Sequence, residues 1–357
     1  DQRIVLDQLV ALAAAERVDA VLIAGDIFDR AVPAKEAVAL LDDVLARLVL
    51  EVGTQVVLIA GNHDGPERLQ FGARLMQGAG LTVVGTCREA ISRVELAGGV
   101  AAYALPYLDP LEVRAHFPGE EIHDHDAAYG CLLARLYATR PRDERAVLLA
   151  HAFVTGGEPT PDSAERPLTL GGSGEVAREH FAGFSYVALG HLHRPQRVGE
   201  TLHYAGSLMK YAIAEAEQRK SVNLVEIDAA GRCTVRAHAL TPPRDLRCVR
   251  GRLQDVLDAA EDDPRRGDYL HVILTDEGAL LDPMGKLRDA YPNVINLARE
   301  STRAAAEAAV RPDHRGMTPE KLFAGFFIEA TGTALTEEEA AVVADLGEVS
   351  ARMRSSH

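Results

Sequence analysis

Four short apolar runs, far apart along the chain, each lead into a residue able to hold a hard or borderline metal ion. Ala20-Val-Leu-Ile-Ala24 runs into Gly25-Asp26, and Gln55-Val-Val-Leu-Ile-Ala60 into Gly61-Asn62-His63-Asp64. Ala146-Val-Leu-Leu-Ala150 ends at His151, and Ser185-Tyr-Val-Ala-Leu189 at Gly190-His191-Leu192-His193. Continuously apolar segments bounded by turn residues are the pattern of strands buried on both faces. Helical apolar spacing stands between them: at Leu6, Leu9, Val10 and Ala13, then over 34–49, 66–78 and 127–140. This alternation predicts an α/β fold. In open α/β sheets ligands gather beyond the carboxyl ends of the strands, so four distant points can meet in one place.

The donors on offer are the carboxylate of Asp26, the amide oxygen of Asn62 and the imidazoles of His151, His191 and His193. Oxygen and nitrogen donors without thiolate suit Mn²⁺, Fe²⁺ or Zn²⁺ better than Ca²⁺. A carboxylate can bridge two ions, and a two-ion site clamps a phosphodiester and activates water for in-line attack. Taken singly, each element has a plainer reading. Gly-Asp after a strand also fits a turn or helix cap, and a lone histidine also fits a packed core position. An ordinary turn does not account for the histidine of Gly-Asn-His-Asp, and Gly-His-Leu-His sets two imidazoles at alternate positions.

Other chemistries find less support. Gly-Gly-Ser-Gly-Glu at 171–175 lacks the final glycine of a nucleophile elbow. No GxxxxGK[ST] occurs, so an ATPase would have to reside in a partner. The four cysteines, Cys87, Cys131, Cys233 and Cys248, form no CxxC pair, which argues against a zinc finger and for a reducing cytoplasm. No run approaches the roughly 20 apolar residues of a membrane span, and no basic stretch followed by an apolar one opens the sequence. The net charge of −15 opposes nonspecific attraction to nucleic acid, but not contact through a local basic groove or through metal ions. The His123-Asp-His125-Asp126 cluster reads as a solvated loop before a helix.

The motifs GDIFD (25–29), GNHD (61–64), Ala150-His151 and GHLH (190–193) resemble those of the calcineurin-like metallophosphoesterases. Longer stretches, VDAVLIAGDIFDR, LLAHAFVTGGEP, YVALGHLHRPQ, YAGSLMKY and RKSVNLVEID, are similar to the bacterial SbcD nuclease subunits, over about residues 1–300. The resemblance implies a four-layer α/β/β/α metallophosphoesterase sandwich with a small α/β capping domain and a helical C-terminal tail. The corresponding domains are a nuclease domain at 1–242, a DNA-positioning capping domain at 243–300 and a helical segment at 301–357 that could dock on the partner ATPase. Leu322, Phe323, Phe326 and Phe327 would share one helical face that docks on the ATPase or packs on its own domain, and Arg244, Arg247, Arg250 and Arg252 of the capping domain could meet phosphates or form an ordinary solvated face.

At matching positions the resemblance implies that Asp26 bridges two Mn²⁺ ions. Asn62, His151 and His191 would hold the second ion and His193 the first. His63 would act at the scissile phosphate, and Asp64 would orient the His63 ring; Asp29 fits a loop carboxylate as well as a ligand. The implied function is a DNA exo- and endonuclease that processes ends and hairpins with an SMC-like ATPase of the SbcC type, as a homodimer in the cytoplasm at the nucleoid, with no membrane partner. The alternatives are another calcineurin-like phosphodiesterase or phosphatase acting on small substrates, or a noncatalytic scaffold in a shortened form. The family also begins with a strand ending in Asp-x-His that completes the first metal site. No Asp-x-His precedes Asp26 here, so the sequence as given is expected to hold the first ion poorly and to lack that strand.

Overall fold

The computed structural model describes residues 1–86, 90–161, 163, 165, 174–300, 321, 323–325, 327–328, 334–336 and 339–343. The chain divides into two compact units, Asp1–Pro243 and Arg244–His357. The first unit opens with α1 (Gln2–Glu16), β1 (Ala20–Ala24), α2 (Lys35–Ala46), β2 (Gln55–Ile59), α3 (Pro66–Leu69), α4 (Ala73–Met76) and β3 (Leu81–Val84). It continues with β4 (Ser92–Leu96), β5 (Val100–Leu105), α5 (Pro110–His116), α6 (His125–Thr139) and β6 (Ala146–His151). Then follow β7 (Phe153–Val154), β8 (Glu175–Val176), β9 (Tyr186–Gly190), β10 (Gln196–Arg197), β11 (Leu202–Tyr204), β12 (Ser221–Ile227) and β13 (Cys233–Ala239).

Two sheets face each other. One is parallel, in the order β1-β2-β3. The other runs β10-β11-β9-β6-β5-β4, with parallel inner strands and antiparallel edges. Side chains alternate along each strand, so each sheet has two faces to bury. Val57 and Ile59 of β2 meet Ala102, Ala104, Val147 and Leu149 of β5 and β6 between the sheets. On the outer face of the first sheet, Val56 and Leu58 pack with Val10, Ala13 and Val44 of α1 and α2. On the outer face of the second, Leu148, Val187 and Leu189 pack with Tyr129, Leu132 and Leu133 of α6. The layers therefore run helix, sheet, sheet, helix, the α/β/β/α sandwich that the motifs implied.

Local departures have local causes. The helix expected over 66–78 breaks into α3 and α4, because Gly72 takes φ 74°, a left-handed conformation that ends one helix before the next begins. The helix expected over 34–49 changes after Ala46 to a π-helical turn, Arg47–Val52. His125 is not in a solvated loop: it opens α6, is buried, and its Nε2 lies 3.1 Å from the Tyr107 hydroxyl. Asp124 caps that helix, accepting from the Ala127 N–H at 2.9 Å.

The second unit holds a parallel sheet of β14 (Leu246–Gly251), β15 (Tyr269–Leu274) and β16 (Val294–Arg299), with α7 (Leu253–Ala259) and α8 (Pro283–Ala290). Leu253, Val256 and Leu287 of the helices bury Leu270, Val272 and Leu274. Two of the arginines expected at phosphates are committed within this unit. Arg247 pairs with Asp263 and Asp268, each at 2.7 Å, and Arg250 with Glu300 at 2.6 Å. Of the expected tail face, Leu322 and Phe326 lie outside the described residues, while the rings of Phe323 and Phe327 stand 6.4 Å apart. No described helix is long and apolar enough to cross a membrane.

Candidate metal centre

The carboxyl ends of β1, β2, β6 and β9 converge. Two glycines make that approach possible. A Cβ on Gly190 would overlap the Ala24 carbonyl oxygen, and one on Gly61 would overlap the Asp26 carboxylate. Glycine at these strand ends lets the two sheets close on each other and brings Asp26, Asn62, His151 and His191 together.

His151 organises the cluster. Fully buried, its ring turns Nδ1 toward the Ala24 carbonyl at 2.7 Å. With the ring N–H donated there, Nε2 faces inward, 2.9 Å from Asn62 Oδ1 and 3.3 Å from Asp26 Oδ2. His191 Nδ1 lies 3.3 Å from the same Asn62 oxygen. Ligand atoms of Asp26, His151 and His191 all stand within 4.8 Å of one another. Lone pairs that face each other at these distances repel unless a proton on His151 Nε2 or a metal cation lies among them.

The electrostatics follow from the same geometry. Burial alone would raise the Asp26 carboxyl, but the charge and hydrogen bond of His151 and the His63 N–H hold it well below the usual carboxylate range. Burial works against a charge on His151, and Asp26 outweighs it and raises its pKa. Burial, with His151 beside it, pushes His191 down to about 3. His191 is thus neutral with a free lone pair, the form in which imidazole binds a metal. The donor set fits a divalent ion: two oxygens and two imidazole nitrogens, no thiolate, and one anionic charge.

The backbone is left-handed at two of these positions. Asp26 has φ 49° and His191 φ 106°, left-handed values that non-glycine residues rarely adopt and that concentrate at functional sites.

His63 follows the cluster directly, its N–H donating to Asp26 Oδ1 at 3.0 Å. Its ring is held through Nδ1, 3.1 Å from the Asp29 carbonyl oxygen and 3.9 Å from the Asp29 carboxylate. The expected contact between Asp64 and the His63 ring is therefore not the one formed. Asp64 turns back and accepts three backbone N–H groups, from Gly61 at 2.8 Å, Phe28 at 2.9 Å and Ile27 at 3.1 Å. It ties the loop after β1 to the loop after β2, and unpaired N–H groups there outcompete an imidazole that already has a partner.

His193 stands apart from the four. Its N–H donates to Glu165 at 2.7 Å, and its Nδ1 lies 2.7 Å from the buried carboxylate of Glu215. Sequence reasoning missed Glu215, which sits in the alternating Ala212-Ile-Ala-Glu215-Ala216 stretch with no turn or motif to mark it. It also missed Tyr129, whose hydroxyl donates to the His151 carbonyl at 2.5 Å, and Tyr204, whose hydroxyl donates to Ala152 at 2.8 Å. A tyrosine set among apolar residues, whose hydroxyl must find an acceptor once buried, was the available signal.

Comparison with known proteins agrees with this architecture. A model of calcineurin-like phosphoesterases matches residues 1–195, and one for the SbcD_C family, described as the type 5 capsule protein repressor C-terminal domain, matches residues 242–331. The chain is 31% identical over 299 residues to the SbcD subunit of the nuclease SbcCD from Staphylococcus epidermidis, an alignment covering 84% of this chain and 79% of that protein. With its strand-end donors set between two facing sheets and both models matched, the chain belongs to the calcineurin-like phosphoesterases, in their SbcD branch.

Proposed function

We propose that this protein is a metal-dependent DNA nuclease subunit that cleaves phosphodiesters at DNA ends and hairpins, as a homodimer, together with an SMC-like ATPase of the SbcC type. The convergence of Asp26, Asn62, His151 and His191 around one point carries this reading. Membership of the SbcD branch supports DNA over small phosphodiesters as substrate, as does the second unit beyond Pro243.

In this reading Asn62, His151 and His191, with Asp26, would hold the second Mn²⁺, and His193, with Asp26, would contribute to the first. The bound ions supply Lewis-acid stabilisation of the phosphate and a water poised for in-line attack. The protein does the rest. Asp26 and the imidazoles would fix the position of the metal against which the phosphate binds. His63, with Nδ1–H turned to the Asp29 carbonyl, would in its protonated form donate from Nε2 a hydrogen bond to the phosphoryl oxygen or a proton to the leaving oxygen. The capping unit at 243–300 positions the duplex, and the segment at 301–357 docks on the ATPase. Such a subunit works in the cytoplasm at the nucleoid.

Mn²⁺-dependent cleavage of linear and hairpin duplex DNA, measured against a small chromogenic phosphodiester, tests the reading. Preferred cleavage of DNA is expected; cleavage of the small diester alone would turn the assignment to a small-substrate phosphodiesterase.

A further inference from the structure

Glu215 is a carboxylate with no exposure at all, in a chain whose acidic residues are mostly solvated. Its position has two neighbours of consequence. Oε1 lies 2.7 Å from His193 Nδ1 and Oε2 lies 2.8 Å from Lys220 Nζ. Oε2 also accepts the Tyr211 N–H at 3.2 Å.

Lys220, itself buried, is anchored beyond this pair. Its ammonium donates to the His193 carbonyl, to Ser207 Oγ and to Gln218 Oε1, each at 2.8 Å. Lys220 therefore holds both the backbone of His193 and the carboxylate that meets the ring of His193. A buried ion pair of this kind is a weak source of stability, since desolvating both charges offsets most of their attraction. Its geometry instead constrains one side chain. A carboxylate on Nδ1 selects the tautomer with the proton on that nitrogen and leaves Nε2 with its lone pair outward. Among the described residues Nε2 of His193 has no hydrogen-bond partner.

We propose that Glu215, braced by Lys220, is a positioning residue that locks the ring and tautomer of His193 so that Nε2 is presented as a metal ligand. The inference rests on the metal-centre reading above and extends it to two residues outside the donor set. Carboxylate partners of ligating histidines commonly set ring orientation and basicity, and their loss costs roughly 10- to 100-fold in metal affinity.

The experiment uses the whole protein in three forms: wild type, Glu215→Leu/Lys220→Met and Glu215→Asp. The double variant removes both charges together, so no uncompensated charge is buried. Glu215→Asp keeps the pair with Lys220 but withdraws the carboxylate from Nδ1 by one methylene. Histidine ¹⁵N–¹H correlation spectra of the metal-free protein, with His193→Ala to assign the signal, report the tautomer. Mn²⁺ titration followed by the EPR signal of the free ion reports affinity, with His151→Ala as the control for the donor cluster. Wild type is expected to show His193 protonated on Nδ1. Both Glu215 forms are expected to mix tautomers and to bind the weaker-held Mn²⁺, the one His193 would share, about 10- to 100-fold more weakly. If either folded variant keeps the wild-type tautomer and affinity, the positioning role is overturned. If His151→Ala binds Mn²⁺ as wild type does, the metal-centre reading fails instead.

Discussion

Nε2 of His151 and Oδ1 of Asn62 face each other at 2.9 Å across the gap between two sheets, with their positions 89 residues apart in the chain. Both are acceptors when His151 is neutral and donates its Nδ1–H to the Ala24 carbonyl. An ion between them would satisfy both, and the fold would be more stable in its presence.

Metal binding should therefore register in thermal unfolding. At free Mn²⁺ about 100 times its Kd, the folded state gains about 2.7 kcal/mol, a rise in Tm of roughly 5–10 °C for a domain of this size. Chelation reverses it. Asp26→Asn tolerates the left-handed backbone and still accepts from His63, but loses the anionic ligand. Its Tm is expected to respond little to Mn²⁺ in differential scanning calorimetry.

His63→Ala separates chemistry from binding. Cleavage of duplex DNA is expected to fall by roughly 100- to 10,000-fold, while Mn²⁺ binding by titration stays at wild-type strength. Cleavage that survives the change would remove His63 from the mechanism.

Asp64→Ala strands the N–H groups of Gly61, Ile27 and Phe28. Each buried donor left unpaired costs about 1–3 kcal/mol. Denaturant melts should show that loss together with weaker Mn²⁺ binding, because the same loops carry Asp26 and Asn62. Asp64→Asn retains one acceptor oxygen and is expected to fall between.

The second unit offers a test by pH. Burial alone would raise the Asp263 carboxyl, but the hydrogen bond from Arg247 outweighs it and lowers the folded value. A folded pKa below the unfolded one, about 3.9, gives stability that is complete above the unfolded value and lost as pH falls through the folded one. Hydrogen exchange of the Tyr269–Leu274 amides in wild type and Arg247→Met should differ near neutrality. The difference is expected to shrink as pH falls below about 4.

Much of this was legible before folding. Asp26, Asn62, His151 and His191 announced themselves because each ends an apolar run, and strand ends are where α/β sheets gather ligands. Other parts are nonlocal and left no pattern. Asp64 finds its partners 36 and 37 residues upstream, in backbone N–H groups that carry no sequence signature. Glu215 gains its meaning only when Lys220 and His193 close on it. No wholly apolar run marks the paired strands β12 and β13, whose half-buried alternation is a weaker signal than that of β6 or β9.

Asp26 and His191, both on left-handed backbone, mark where this fold holds tension. Each such residue costs about 1–3 kcal/mol, offset by the close-packed strand ends around it. An ion would then meet donors already in place and have little chain to order. Substitutions nearby that relax those two residues are expected to yield a sturdier protein with a looser grip on its metal.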